Sequence, residues 1–300
     1  MTAKVILNPY AARWQASKRW PEAQAALLEA GVNFEVEQSK EPGHAIFLTL
    51  NAIRQGFNPI IAAGGDGTIG EVVNGIMTAG EEQARATFGI MPLGTANDLV
   101  DNLGMPKELD KAAQVIAANQ IREIDVCQVN DRFFINNAGI GLEPYITNLQ
   151  QNMTRTSGII RYLLATLKGV AHNPQWRMKL QWDDGEYDGP VTLVSIGNAP
   201  RTGGIFFTVP AADPFDGKLT FVFGYIAGRL NILRVLPQTM KAGEGNYVEH
   251  PAIHQHHGTW LKVSIVPNSP SHADGELFTH GIHELEFRIH PASLPIISTK

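Results

Sequence analysis

Cysteine is nearly missing from this chain: Cys127 stands alone among 300 residues. A single thiol cannot close an internal disulfide, so the fold must rest on its apolar core, and a reducing cytoplasm fits. No apolar run reaches about 18 residues, the length from which a membrane-spanning helix is read. The N-terminus, Met1-Thr2-Ala3-Lys4-Val5-Ile6-Leu7-Asn8-Pro9, lacks the basic segment, long apolar stretch and cleavage site of a secretory signal and moves straight into a short apolar strand. Strong charge is missing too. A net charge of -5 excludes a protein whose whole surface grips nucleic acid, though a local basic patch facing acidic lipid is compatible with it. Internal repeats and low-complexity segments are absent. What is present is an ordinary globular balance, 44% apolar and 18% charged, in a length that suits two domains or one large one.

The first part of the chain alternates short apolar runs with helical stretches. Strands are expected at Lys4–Leu7, Val32–Glu37 (alternating, hence half-buried), Pro59–Ala63 and Phe88–Met91. Helices are expected at Trp20–Ala30, His44–Gln55, Ile69–Thr78, Ala96–Leu103 and Lys107–Asn119, with Gly31 and Gly56 just past two of their ends. That rhythm implies a mostly parallel sheet with helices on its faces. Near Ile124 the texture changes. Asp125–Ile135 reads as two strands about Asn130-Asp131, and Arg177–Val194 as a hairpin about Asp183-Asp184-Gly185. Further strands at Leu219–Phe223, Trp260–Val266 and Glu284–Ile289 make this half largely antiparallel, interrupted by two helices at Thr156–Ala171 and Arg229–Ala242. His250, His254, His256 and His257 form no fixed ligand pattern and read as a mobile polar loop.

The chemistry concentrates at two loops. The strand ending at Ala63 runs into Gly64-Gly65-Asp66-Gly67-Thr68, and a helix follows. Glycines at such a turn let backbone N–H groups approach a phosphate, and the helix N-terminus favours the anion. The same residues also make a tight turn with a threonine cap. The lysine of the common phosphate loop is missing, so a different nucleotide fold is required. Phe88 to Leu99 repeats the pattern of strand, Gly94-Thr95 and helix, and adds Asn97 and Asp98. In a parallel sheet both loops lie at carboxyl ends of strands, where ligands bind.

In this order, Gly64–Thr68 with Glu71 and Asn74-Gly75, Pro92–Asp98, Ile124-Asp125, Phe134–Asn136 with Gly139 and Gly141, Gly197-Asn198, Pro210–Leu219 and Asp274-Gly275-Glu276 resemble the diacylglycerol kinase catalytic domain. The match is closest to the bacterial soluble lipid kinases of the YegS/DgkB type. The first motif alone is shared with NAD kinases and phosphofructokinases. One departure stands near the first strand, where the family often carries Asn-Pro-x-Ser/Ala-Gly and this chain has Asn8-Pro9-Tyr10-Ala11-Ala12.

The resemblance implies an α/β nucleotide-binding domain at 1–123, mostly parallel and similar to NAD kinase, and a largely antiparallel β-sandwich lipid-substrate domain at 124–288. The tail at about 289–300 would pack back on the first domain. It implies ATP across Asn8, Ser39, Gly65, Asp66, Gly67, Thr68, Glu71 and Thr95. Asp66, Asp98 and Asp125 would organise a catalytic Mg²⁺, and Asp213, Asp216 and Lys218 would hold a structural one, the lysine by its carbonyl. Asp274 and Glu276 would take the proton of the acceptor hydroxyl, with Asp66 as the third catalytic residue. The implied activity is ATP-dependent phosphorylation of a lipid hydroxyl, of a diacylglycerol or a related glycerolipid or sphingoid lipid. An NAD kinase-like phosphotransferase and a non-catalytic nucleotide- or lipid-binding protein are the alternatives. The expected setting is cytoplasmic, with lipid met at a membrane surface, no nucleic-acid partner, no transmembrane segment, and a homodimer left open. On Thr156–Ala171 the residues Ile159, Ile160, Leu163, Leu164 and Leu167 share a face, which suits a lipid groove, a membrane-facing helix or an ordinary packed helix.

Overall fold

The computed structural model describes residues 2–80, 86–153, 158–278 and 281–299. The chain divides into two compact units, one of Met1–Val126 with Arg132–Ile135 and His290–Lys300, the other of Cys127–Asp131 with Asn136–Ile289.

Unit 1 grows from short, fully buried apolar strands. It contains β1 (Ala3–Leu7), α1 (Ala11–Glu29), β2 (Phe34–Gln38), α2 (His44–Arg54), β3 (Ile60–Gly64), α3 (Asp66–Ala79), β4 (Phe88–Pro92), α4 (Asp98–Asn102), α5 (Leu109–Ala118), the beginning of β5 (Ile121–Val129) and β6 (Arg132–Phe134). The parallel order is β2-β1-β3-β4. Strand alternation divides the core in two. Val5, Leu7, Ile61, Ala63 and Met91 point to one face and meet Trp20 and Leu27 of α1 and Ala113 and Ile116 of α5. Ile6, Ile60, Ala62, Phe88 and Ile90 point to the other and meet Leu48 of α2 and Val72 and Val73 of α3. β1, β3 and β4 are buried at every position, as strands covered on both faces are.

Unit 2 contains β7 (Asn137–Gly141), α6 (Leu142–Gln151), α7 (Gly158–His172), β8 (Trp176–Trp182), β9 (Gly185–Val191), β10 (Leu193–Gly197), β11 (Leu219–Gly224), α8 (Arg229–Val235), β12 (Ile253–Gly258), β13 (Trp260–Ser269), β14 (Ser271–Ala273), β15 (Glu276–Leu277) and the beginning of β16 (Ile282–Ile297). One antiparallel sheet has the order β12-β11-β10-β7-β14-β15 and the other β16-β13-β8-β9. They form a β-sandwich, with Trp182 of β8 edge-on to Phe221 of β11 at 5.4 Å. The end of β16 belongs to unit 1, where Ile296 pairs in parallel with Phe88.

Several local expectations give way to tertiary context. β2 is mostly exposed rather than half-buried, because it is the edge of its sheet. The helix expected over Arg229–Ala242 stops at Val235 and tightens into a 3-10 turn at Leu236–Met240. Pro237 explains the break, since it donates no N–H and its ring crowds the preceding turn. A third helix, α6, goes unpredicted although Leu142 and Ile146 are buried at helical spacing. The histidine stretch is no loop. His254, His256 and His257 lie in β12, paired to β11, and the His256 ring stacks on Phe223 at 5.7 Å. Burial, aided by neighbouring His254, lowers the His256 pKa below its ordinary value. Thr156, where a helix start was expected, and the side chain of Ile159 lie outside the described residues.

Candidate functional site

Two loops of unit 1 meet because both are made of glycine where they touch. A Cβ on Gly65 would lie 3.1 Å from the Gly94 Cα, and one on Gly94 would lie 2.4 Å from the Gly65 Cα. Any side chain at Gly94 would separate the loops. Gly64 is equally constrained, since its Cβ would fall 2.3 Å from the Thr68 hydroxyl oxygen. α3 begins directly at Asp66 with Gly65 as its N-cap residue, and no side chain caps that end. A helix N-terminus without a side-chain cap, with glycine backbone close beside it, can take a phosphate.

Asp66 braces the two loops. Its two carboxylate oxygens accept the backbone N–H of Asn97 at 2.9 Å and of Asp98 at 2.6 Å. Burial raises the Asp66 pKa above its ordinary 3.8, partly offset by these N–H bonds, which favour the anion. Asn97, at φ 53°, turns the second loop back on itself: its side chain accepts the Gly94 N–H at 3.1 Å and donates to the Gly94 carbonyl at 3.2 Å. Lys107 holds the same loop from outside, donating to the Ala96 carbonyl at 2.8 Å and to Asp101 at 2.7 Å.

Asn8 and Ser39 stand at the ends of β1 and β2, beside the first loop. The Asn8 amide donates to the Thr68 hydroxyl at 3.1 Å, and the Ser39 N–H donates to the Leu7 carbonyl at 2.8 Å. Thr95 is exposed on the second loop. Glu71 does something the sequence did not suggest. Its carboxylate accepts the N–H groups of Gly43 and Ala45, both at 2.9 Å, and so caps α2. Asn74 is likewise structural, exchanging two hydrogen bonds with the Phe133 backbone at 2.8 and 2.9 Å. Gly75 lets α2 and α3 approach, for a Cβ there would lie 2.6 Å from that of Thr49.

The acidic residues differ in placement. Asp98 is buried beside Asp66. Asp125 is also buried, and its carboxylate accepts the Ala292 N–H at 2.7 Å, fixing a residue with φ 46°. Among the described residues no group of three or more His, Cys, Asp and Glu side chains could hold a metal ion. In unit 2, Asp213 and Asp216 are exposed on one turn. Each carboxylate accepts a backbone N–H two residues on, from Phe215 at 3.0 Å and from Lys218 at 2.9 Å.

Asp274 and Gly275, at φ 47° and 79°, form the two-residue turn between β14 and β15, with Ala273 opposite Glu276. The turn also has built contacts. Asp274 Oδ1 accepts the N–H groups of Asn136 and Asn137 at 2.9 and 3.1 Å, and the Asp274 N–H donates to the Asn137 carbonyl at 2.8 Å. Sequence reasoning missed His272, whose ring contacts both Gly275 and Glu143. Strand alternation could have placed His272 on the side of Asp274, but nothing local pointed to Glu143.

Residues 2–129 match the diacylglycerol kinase catalytic domain model, and residues 136–298 match the YegS C-terminal NAD kinase beta sandwich-like domain. A "Probable lipid kinase YegS-like" of Chromohalobacter salexigens is 32% identical over 266 residues, covering 86% of this chain and 82% of that one. A "Diacylglycerol kinase" of Staphylococcus saprophyticus is 27% identical over 277 residues, covering 91% and 88%. A crystal structure of a diacylglycerol kinase from Bacillus anthracis superposes with a TM-score of 0.79 at 24% identity, covering 99% of this chain and 97% of that one. That last likeness shows the fold.

Proposed function

The chain belongs to the diacylglycerol kinase catalytic-domain family and is similar throughout to its YegS-like lipid kinases, and on that premise we propose that it transfers the γ-phosphoryl group of ATP to a lipid hydroxyl. The observation that carries the ATP half is the glycine-only contact between Gly65 and Gly94 over the uncapped start of α3. The nucleotide lies along Asn8, Ser39, the Gly65–Thr68 loop and Thr95. Glu71 and Asp66 serve it by holding α2 and the second loop in place. Phosphoryl transfer asks mainly for positioning and neutralisation of phosphate charge. Asp98 and Asp125 would hold the waters of a Mg²⁺ ion, which would supply that neutralisation. Asp274 and Glu276 share the turn that receives the acceptor hydroxyl, and a carboxylate there takes its proton as the oxygen attacks phosphorus.

Unit 2 offers a surface for the lipid phase. α7 packs against α8, and Ile160, Leu163, Leu164 and Leu167 of α7 with Leu230 of α8 are exposed, Leu230 at 70%. Lys168, Arg229 and Arg234 are exposed on the same two helices. Apolar side chains with basic neighbours favour an anionic membrane, each cation contributing about 1 kcal/mol near the surface. Among the described residues no helix is long and apolar enough to cross a membrane. A structural Mg²⁺ at Asp213, Asp216 and the Lys218 carbonyl is supported by the two exposed carboxylates on one turn.

The test offers purified protein γ-labelled ATP, Mg²⁺ and mixed micelles of diacylglycerol, phosphatidylglycerol or sphingosine, with NAD as a parallel acceptor. Label in lipid alone is expected. Label only in NADP, or in no acceptor, overturns the lipid kinase.

A further inference from the structure

His272 is 3% exposed in β14, two residues before Asp274. Its Nδ1 accepts the Gly275 backbone N–H at 3.2 Å. A ring nitrogen that accepts an N–H carries no proton, so the hydrogen of the neutral ring sits on Nε2. Nε2 donates to Glu143 Oε2 at 2.5 Å. Glu143 lies in the first turn of α6, where the helix N-terminus favours a carboxylate. The Thr147 hydroxyl donates to its other oxygen at 3.3 Å. Gly139 leaves room for both groups: a Cβ there would lie 2.3 Å from Glu143 Oε2 and 2.7 Å from His272 Nε2.

The Asp274-Gly275 turn is thus gripped twice. Asn136 and Asn137 hold the Asp274 carboxylate, and His272 holds the next peptide. Both residues of the turn have positive φ, which Asp-Gly favours in a two-residue hairpin turn, and the outside contacts fix where the turn points. We propose that Glu143 and His272 form a positioning pair for the phosphoryl-acceptor turn. Glu143 fixes the tautomer of His272, and His272 Nδ1 fixes Gly275 and with it the aim of Asp274 and Glu276. With both ring nitrogens engaged, His272 is a strut and not the base. This inference rests on the lipid-kinase reading of that turn.

Asparagine and glutamine separate the two contacts of the ring. The amide oxygen of His272→Asn reaches the place of Nδ1 and keeps the Gly275 bond. The amide N–H of His272→Gln reaches the place of Nε2 and keeps the Glu143 bond alone. His272→Ala keeps neither. A misaimed catalytic group costs up to about a hundredfold, so kcat for lipid falls roughly tenfold or more in His272→Gln and His272→Ala. It stays within roughly threefold of the parent in His272→Asn. KM for ATP is unchanged in all three. Amide exchange at Gly275, read by mass spectrometry, is slow in the parent and His272→Asn and fast in His272→Gln. Equal losses in the asparagine and glutamine variants, or parental kcat in His272→Ala, overturn the proposal. If the parent phosphorylates no lipid, the kinase reading falls, while Gly275 exchange still decides whether His272 holds the turn.

Discussion

At Asp66 one buried carboxylate accepts two backbone N–H groups from the second loop, so replacing it tests geometry and charge together. Asp66→Asn keeps one acceptor and turns an NH₂ toward the other N–H. That loss costs about 1–3 kcal/mol, and we expect a lower melting temperature, a higher KM for ATP and little turnover. Parental KM and stability would show that Asp66 braces nothing. The raised pKa sets a direction with pH. The folded chain holds this proton more tightly than the unfolded one, so the group's contribution to stability is greatest below 3.8 and is lost as pH rises through the elevated value. The carboxylate that braces the loop forms over that same window, so a pH–rate profile of the parent is expected to show an acid limb above 3.8. Ala12, Arg13 and Trp14 all take positive φ, 51°, 56° and 70°. A left-handed non-glycine residue costs about 1–2 kcal/mol. Ala12→Gly should therefore stabilise by about 1 kcal/mol, a rise of about 2–4 °C in melting temperature. A fall would mean that neighbouring contacts, not the alanine, set this bend.

Elements carry the next layer. The helix expected at Thr156–Ala171 is present as α7, and its leucines face outward rather than into the sandwich. Periodicity reports that a face is apolar, not what covers it. If that face meets membrane, Leu163→Glu with Leu167→Glu should abolish sedimentation with phosphatidylglycerol vesicles, while turnover of a short-chain soluble diacylglycerol stays near the parent value. Unchanged sedimentation removes these helices from the lipid contact. α6 shows the converse: its buried Leu142 and Ile146 were legible, yet a short helix beginning Leu142-Glu143-Pro144 is easily read as loop. At β12 the polar histidines suggested a loop, but pairing with β11 and stacking on Phe223 made a strand. β-propensity yields to a partner strand.

Across the whole molecule, ligand linkage offers the broadest test. A ligand that binds the folded chain alone stabilises it, by about 2.7 kcal/mol at a hundredfold excess over Kd. Mg²⁺ with a non-hydrolysable ATP analogue should raise the melting temperature, and EDTA should remove the part due to metal. No shift at millimolar analogue would contradict the nucleotide site. Asp216→Ala should erase any shift given by Mg²⁺ alone, and its persistence would move the metal elsewhere.

By itself the sequence determined the layered classes of structure, because alternation in strands and helical spacing are local signals of burial. It also placed the glycine loops, since few residues can occupy such close turns. The contacts of the site side chains came only with tertiary structure. Nothing in the sequence indicates that the Glu71 carboxylate caps α2. That Asp125 also accepts the Ala292 N–H could not be read from the sequence. His272 and Glu143 are separated by most of unit 2 in sequence and meet only after β14 pairs with β7 and α6 follows from it. A hydrogen bond is decided by distance and direction in space, and sequence order holds neither.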